Sequence, residues 1–293
     1  PSRYFLESSP TGRIFNNTLE NIEEDPEGLH DVHGPWEHQG LTEQYTLYNA
    51  GTSLLSSEFG VEGMTNYDTL SKNMAESHMW PPSRDNEYYF HRGSWWNNYP
   101  LIQECFGGEI KEIRTAVKAS QFLQYEGLKY AVEANRRRAL RCSGTFPWQF
   151  NEPYPNNTCT CSIDYYASPK PVYYGVRKAY VPDTLTAAFA SQTLGVSSRF
   201  EAKIFWQSSD GNKIQGSVHA AIVQQDGKKC TSVEFAGQDI AGTEREKAVQ
   251  IGVIECMAES IKTDIFYLVL EGVDEAGNKT AENRYCFTKT TLA

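Results

Sequence analysis

The stretch TSLLSSEFG, residues 52–60, is the most informative part of the chain for its fold. Its apolar centre favours a short buried strand, and Gly60 permits a sharp turn directly after it. In parallel α/β architectures, active sites lie at the carboxyl ends of the strands. Glu58, near the end of this strand, is therefore a candidate nucleophile, base or ligand. The alternative is a polar residue that begins a loop.

Strands and helices are predicted to alternate around this stretch. Residues 3–6 favour a short buried strand, followed by a polar stretch of some forty residues that is typical of a functional loop. Residues 145–150 favour a third strand. Residues 109–142 carry the strongest helical periodicity, which Gly127 could divide into two helices. Shorter helices are predicted at residues 66–78, 98–106 and 170–180. Strand, helix and strand in this order predict a parallel sheet with crossovers.

The pattern of apolar and polar residues changes near residue 183. From there to the end, short runs alternate between apolar and polar residues, and turn signals such as Asp226-Gly227 separate them. The predicted strands are residues 187–191, 199–206, 216–224, 230–235, 248–256, 264–270 and 284–289. Seven short strands in about 110 residues match an antiparallel β-sandwich. The sequence thus predicts an α/β domain at residues 1–183 and an all-β domain at residues 184–293.

Composition excludes several classes of function. The 293 residues carry 27 Lys and Arg against 37 Asp and Glu, a net charge of −10, which argues against binding to a phosphate backbone. The sequence contains no run of 18 or more apolar residues, so it does not predict a membrane span. Aromatic residues make up 13% of the chain, and this suits a neutral or weakly charged partner. The basic triplet at residues 136–138 is predicted to be the solvated last turn of the long helix.

Two groups of side chains besides Glu58 could carry chemistry. Trp148 and Asn151, at the end of the third predicted strand, offer a flat apolar face and a hydrogen-bonding amide, as a sugar ring requires; the alternative for Trp148 is a core aromatic at a domain seam. His33 could orient a carboxylate or bind a substrate. A metal site formed by the histidines at 30, 33 and 38 has no matching ligand spacing. Trp95 and Trp96 could face a substrate or form the apolar base of a helix.

Four segments in series resemble glycoside hydrolase family 2, particularly its β-mannosidase-like branch. SEFG at residues 57–60 resembles the nucleophile motif, and DVHGPW at residues 31–36 resembles the His/Trp loop before it. YFLESSP at residues 4–10 resembles the strand-6 segment. GTFPWQFNEPYP at residues 144–155 resembles the last barrel strand. The likeness covers roughly residues 1–183, and the remainder resembles the immunoglobulin-like sandwich that many members carry.

The resemblance implies a retaining exo-β-glycosidase on a (β/α)₈ TIM barrel, of which this chain holds strands 6–8. Glu58 would be the nucleophile, Trp148 and Asn151 would contact the sugar, and His33 and Trp36 would line the same subsite. The family's acid/base Glu follows an Asn at the end of strand 4, so it would not be in this chain. Asn151 also precedes a Glu, but on the wrong strand. β-Mannosides are the expected substrates, with β-glucosaminides and β-galactosides as alternatives.

Three strands cannot close an eight-stranded barrel. The chain is therefore expected to be part of a longer enzyme, to associate with an N-terminal fragment of it, and to be inactive alone. The alternatives are a non-catalytic sugar-binding module and an assembly fragment. The resemblance implies no metal or organic cofactor, no nucleic acid and no membrane; secreted, periplasmic and cytoplasmic locations all remain open.

Overall fold

The computed structural model of the protein describes residues 5–90, 94–106, 110–214, 216–237 and 248–289. Its first part combines short strands with six helices. In chain order the elements are α1 (Leu19–Glu24), β1 (Asp31–His33), α2 (Glu43–Ala50), β2 (Leu55–Phe59), β3 (Gly63–Met64), α3 (Tyr67–Asn73), α4 (Tyr99–Phe106), α5 (Ile113–Arg137), β4 (Thr145–Pro147), β5 (Thr158–Cys159) and α6 (Pro171–Ala179). None of the helices in the described residues is long and apolar enough to cross a bilayer.

A parallel sheet of β1, β2 and β4 organises this part. Strand β2 lies between the other two and pairs in parallel with both. Its Glu58 is opposite His33 of β1, and its Phe59 is opposite Pro147 of β4. The carboxyl ends of all three strands therefore meet at one edge of the sheet.

The prediction of a strand at residues 3–6 is wrong in its described half. Phe5 and Leu6 belong to no strand and are exposed, whereas residues 1–4 lie outside the described residues. The strand beside β2 is instead β1, inside the stretch predicted to be a loop. The pattern misses β1 because its only apolar residue, Val32, stands between two polar residues, one of which is buried.

Helix α5 runs uninterrupted for 25 residues, so the alternative of two helices is wrong. Gly127 lies in its buried middle. A Cβ atom there would be 2.7 Å from Cδ2 of His38, closer than such atoms pack. The glycine that weakens the helix by propensity is thus required by the close approach of the His38 ring.

The second part consists of two antiparallel sheets, which we call the sandwich. Its strands are β6 (Asp183–Ala188), β7 (Arg199–Ser208), β8 (Ser217–Gln224), β9 (Lys229–Ala236), β10 (Ala248–Met257), β11 (Ile265–Val273) and β12 (Lys279–Thr288). One sheet has the order β10-β7-β6 and the other β12-β11-β8-β9. Phe200, Phe266 and Phe287 pack between them, with ring centroids 4.7–5.4 Å apart. Every predicted strand of this half overlaps an observed one.

Buried charges join α5 to the last strand of the sandwich. Lys129 Nζ lies 3.4 Å from Glu133 Oε1, and both side chains are 1% exposed. Glu133 also accepts hydrogen bonds from Tyr285 Oη at 2.7 Å and Asn283 Nδ2 at 2.8 Å. Buried charges are tolerated when partners and hydrogen bonds satisfy them. This network ties the helix to β12, and Tyr130 of α5 also packs against Phe189, with 4.8 Å between the ring centroids.

The basic triplet at the end of α5 is not solvated, so that prediction is wrong. Each arginine is half-buried and donates to backbone oxygens of a neighbouring segment: Arg136 to Val181 at 2.9 Å, Arg137 to Ala187 at 3.1 Å and Arg138 to Ser53 at 2.7 Å. These carbonyls belong to segments distant in sequence, which helical periodicity does not reveal.

Candidate active site

The ends of the three parallel strands bring together residues that the sequence placed far apart. The peptide N–H of Gly34 donates to the Glu58 carbonyl at 2.7 Å, and that of Trp148 donates to the Phe59 carbonyl at 2.6 Å. These bonds continue the pairing just past the strands, so the loops after β1, β2 and β4 start side by side. His33, Trp36, Glu58 and Trp148 therefore share one edge of the sheet.

The Glu58 carboxylate is held by the loop that follows β1. Trp36 Nε1 donates to Oε1 at 2.9 Å. His33 Nδ1 lies 3.9 Å from Oε2, on the other side of the carboxylate. The side chains of His33 and Glu58 are 18% and 29% exposed, so the group is sheltered but reachable. Because the indole nitrogen only donates, Trp36 fixes one oxygen and leaves the second for other chemistry.

A hydrogen-bonded group behind His33 was not anticipated from the sequence. Ser9 Oγ lies 3.0 Å from Asp31 Oδ2, 3.0 Å from His33 Nε2 and 2.7 Å from Ser57 Oγ. A hydroxyl has one hydrogen to donate. When it goes to the carboxylate of Asp31, Ser9 accepts from Nε2–H of His33, and the lone pair of Nδ1 then faces Glu58. The partners are at least 22 residues apart, so no local pattern could reveal them.

The turn after β2 packs closely against the backbone of Trp148. A Cβ atom on Gly60 would lie 2.5 Å from the Trp148 carbonyl oxygen, so only glycine fits there without movement. Trp148 is half-buried, and its ring centroid is 5.5 Å from that of Trp96 at an interplanar angle of 34°. Trp96 therefore packs against Trp148, while Trp95 is 54% exposed.

Asn151 stands apart from this group. It is exposed, its backbone bridges to Ile163, and no hydrogen bond joins it to Glu58 within the described residues. The neighbouring Glu152 is 5% exposed and accepts a hydrogen bond from Asn156 Nδ2. The substrate-binding role of Asn151 stays a prediction, and Glu152 is a buried carboxyl group bonded to Asn156.

The three loop histidines occupy different environments. His30 is exposed, His33 faces Glu58, and His38 is buried and accepts a hydrogen bond at Nδ1 from Gly40 N–H at 3.1 Å. Burial lowers the pKa of His38 to about 4. Glu62 Oε2 accepts a hydrogen bond from the peptide N–H of His38 at 2.8 Å. Burial nevertheless raises the pKa of Glu62 to about 8. The described part of the chain contains no cluster of three side chains that could hold a metal ion.

The chain was compared with known families, proteins and structures. No family model matches the chain. It is 24% identical over 192 residues to beta-mannosidase B of Emericella nidulans, a match that covers 62% of this chain and 21% of that protein. The chain thus spans about a fifth of the length of that relative.

Solved structures share the fold over most of the chain. A beta-D-mannosidase from Dictyoglomus thermophilum matches with a TM-score of 0.66 and 21% identity, covering 90% of this chain and 31% of that one. An exo-chitosanase from Amycolatopsis orientalis matches with a TM-score of 0.63 and 17% identity, covering 87% and 30%. In sequence and in fold, the chain is similar to the C-terminal part of β-mannosidase-like glycoside hydrolases of family 2.

Proposed function

We propose that this chain supplies the nucleophile of a retaining exo-β-glycosidase that removes terminal β-linked sugars. The observation that carries the proposal is the position of Glu58, whose carboxylate stands at the carboxyl end of the central parallel strand, 2.9 Å from Trp36 Nε1. In a retaining glycosidase such a carboxylate attacks the anomeric carbon and forms a covalent glycosyl-enzyme. A second carboxylic acid about 5–5.5 Å away protonates the leaving oxygen and then activates water.

The neighbours of Glu58 suit both halves of this reaction. Trp36 holds Oε1, so Oε2 is the oxygen that attacks. The attack converts the carboxylate to a neutral ester, and hydrolysis of the ester restores its charge. The Trp36 N–H hydrogen bond stabilises the charged form and therefore favours Glu58 as a leaving group in the second half. His33 Nδ1, 3.9 Å from Oε2, is near the oxygen that bonds to the sugar.

β-Mannosides are the proposed substrates, since the matched relative is a beta-mannosidase. Trp148 would stack against the apolar face of the sugar, with Trp96 supporting it from 5.5 Å. The fold likeness to an exo-chitosanase supports β-glucosaminides as the second candidate.

We further propose that β1, β2 and β4 are strands 6–8 of a (β/α)₈ TIM barrel, and that the sandwich is immunoglobulin-like. Strand β2 lies between β1 and β4 in this sheet, and β1 also forms backbone bridges to Thr11 and Asn16. Polypeptide beyond these 293 residues would then complete the barrel and carry the acid/base carboxylate. The partner of the chain would be that N-terminal portion, and the chain alone would not hydrolyse glycosides.

Covalent trapping tests the nucleophile. An active preparation that contains this chain is treated with a 2-deoxy-2-fluoro β-mannoside, and the labelled peptide is located by mass spectrometry. The label is expected on Glu58, and Glu58→Gln should abolish both trapping and turnover. Glu152→Gln is the matched control and should still be labelled.

A label on another carboxylate contradicts the assignment of Glu58. A preparation that binds β-mannosides but shows neither turnover nor labelling would instead indicate a sugar-binding module. Trp148→Ala should weaken transition-state binding by about 1–3 kcal/mol if the ring stacks on sugar.

A further inference from the structure

Two cysteines lie on edge strands of the two sandwich sheets. Cys230 belongs to β9, the last strand of the four-stranded sheet, and Cys256 belongs to β10, the last strand of the three-stranded sheet. Both are free thiols in this structure. A covalent bond between them would therefore join the two sheets along one side of the sandwich.

The two edge strands face each other across the core. A Cβ atom on Gly252 of β10 would overlap the ring of Phe235 of β9, so the strands approach closely. Cys230 and Phe235 pack against the same core that contains the buried side chain of Cys256. Both cysteine side chains therefore point into the space between the sheets, from opposite sides.

The two thiols are direct neighbours. The side chains of Cys230 and Cys256 are hydrogen-bonded to each other. Thr231 pairs with Ile222 of β8 and Lys229 pairs with Val223, so Cys230 between them is the extra residue of a β-bulge. The backbone ladder constrains such a residue less than its neighbours. A disulfide needs a short approach of the sulfur atoms, which the bulge can supply without rearrangement of the strands.

Cys230 is the thiol that a reagent from solution should meet first. It is half-buried, whereas Cys256 is 5% exposed. Burial raises the pKa of both thiols, that of Cys256 to about 11, while the hydrogen bond to Cys256 lowers the pKa of Cys230. Cys159 and Cys161 are also hydrogen-bonded to each other, but each is only 2% exposed and so is shielded from solution.

We propose that Cys230 and Cys256 are an oxidation site that closes as an inter-sheet disulfide when the protein meets a small-molecule disulfide such as oxidised glutathione. The Cys230 thiolate attacks one sulfur of the oxidant and releases the other half as a thiolate. The Cys256 thiolate then attacks the Cys230 sulfur of this mixed disulfide and releases the second half. The protons of the two cysteines go to the two released thiolates, so one disulfide is reduced for each one formed.

The bond would stabilise the sandwich. It closes a loop of the chain between positions 230 and 256, which restricts the unfolded chain far more than the folded one. Neither cysteine belongs to the candidate active site. Oxidation should therefore raise the resistance to urea and leave the proposed glycosidase activity unchanged.

Peptide mapping of the oxidised protein tests the site. The reduced protein is incubated with oxidised glutathione at mildly alkaline pH, the remaining thiols are alkylated, and the protein is digested with trypsin without reduction. Mass spectrometry should find the peptides of Cys230 and Cys256 linked to each other. The urea midpoint of the oxidised protein should rise by about 1 M and return to its original value after treatment with dithiothreitol.

Two variants sharpen the test. Cys256→Ser should lose the linked peptides and the shift of the urea midpoint, and should retain glutathione on Cys230. Cys286→Ser is the matched control, because Cys286 is also a half-buried cysteine on a sandwich strand. It should keep both the linked peptides and the shift.

Three results would overturn the proposal. The first is glutathione that remains on Cys230 of the wild type without a linked peptide. The second is a link that uses any other cysteine. The third is a link that forms only after unfolding in urea, because the two thiols would then not be neighbours in the folded protein. Covalent trapping at Glu58 reports on the nucleophile separately, since neither cysteine takes part in it.

Discussion

The sandwich and the parallel sheet use their strands in opposite ways. Sandwich strands run for six to ten residues and bury aromatic side chains such as Phe266, which is fully buried and 5.3 Å from the Phe287 ring centroid. The strands of the parallel sheet have three to five residues and carry partly exposed polar side chains near their carboxyl ends, such as Glu58 and His33. Substitutions in the sandwich core should therefore change mainly the free energy of unfolding, and substitutions at the ends of the parallel strands should change mainly the activity.

The largest expected effect is in the sandwich core. Phe266→Ala should lower the free energy of unfolding by about 3–5 kcal/mol, because it removes a fully buried ring between two packed sheets. Glu58→Gln should change it by less than about 0.5 kcal/mol, since the side chain is partly exposed and Gln still accepts from Trp36. Urea unfolding measures both. Val253→Ala, at a 37% exposed sandwich residue, is the control with a small effect.

A similar loss of stability in Glu58→Gln would break the contrast and make this carboxylate a structural group.

An intermediate effect is expected where the strand ends touch. Gly60→Ala should lower the free energy of unfolding by about 1–3 kcal/mol, because the new Cβ would lie 2.5 Å from the Trp148 carbonyl oxygen, a backbone atom that cannot rotate away. Gly272→Ala in the sandwich is the matched control, since its Cβ would meet the Thr280 hydroxyl at 3.2 Å. Equal stability of both variants would show that the turn after β2 has room to adjust.

The two halves also differed in how far the sequence revealed them. The sandwich strands are long enough for an alternating burial pattern to be recognised. Strand β11, for example, alternates half-buried with buried residues along its whole length. Strand β1 has three residues and is recognisable only through its partner β2. Glu58 could be singled out because it follows a local apolar run, whereas Ser9 acquires its role from contacts with the distant residues Asp31, His33 and Ser57.

A smaller, pH-dependent effect is expected beneath the strand ends. Burial raises the pKa of Glu62 from 4.5 to about 8, so the folded protein binds a proton there that the unfolded chain releases. The stability linked to this proton is present below pH 4.5 and is lost as the pH rises towards 8, by at most about 1.4 kcal/mol per pH unit. Glu62→Gln mimics the protonated form.

Urea unfolding at pH 5, 6.5 and 8 should therefore show Glu62→Gln gaining stability relative to the wild type as the pH rises. Burial lowers the pKa of His38 to about 4, so the stability linked to its neutral form is lost as the pH falls below 6.5. Because both proteins contain His38, this contribution cancels when their free energies of unfolding are compared. Parallel pH curves would mean that Glu62 titrates normally in the folded state.

The smallest effect on stability, but a measurable one on chemistry, is expected at Ser9. This exposed hydroxyl contacts Asp31, His33 and Ser57 within 3.0 Å, whereas the adjacent Ser8 hydroxyl contacts only the Pro10 carbonyl, at 3.3 Å, among the described residues. Ser9→Ala should change the free energy of unfolding by less than about 0.5 kcal/mol. It should lower kcat about tenfold with little change in KM, because it removes the acceptor that orients His33 towards Glu58.

Histidine ¹⁵N shifts distinguish orientation from a merely structural role. In the wild type, His33 should be the tautomer protonated at Nε2, since Ser9 accepts there, and Ser9→Ala should yield a mixture of both tautomers. Ser8→Ala should retain the wild-type shifts and rate. A wild-type His33 protonated at Nδ1 would mean that its N–H points at Glu58, 3.9 Å away, and that Ser9 donates rather than accepts. The ring would then donate towards the carboxylate directly, and Ser9 would not set its orientation as an acceptor.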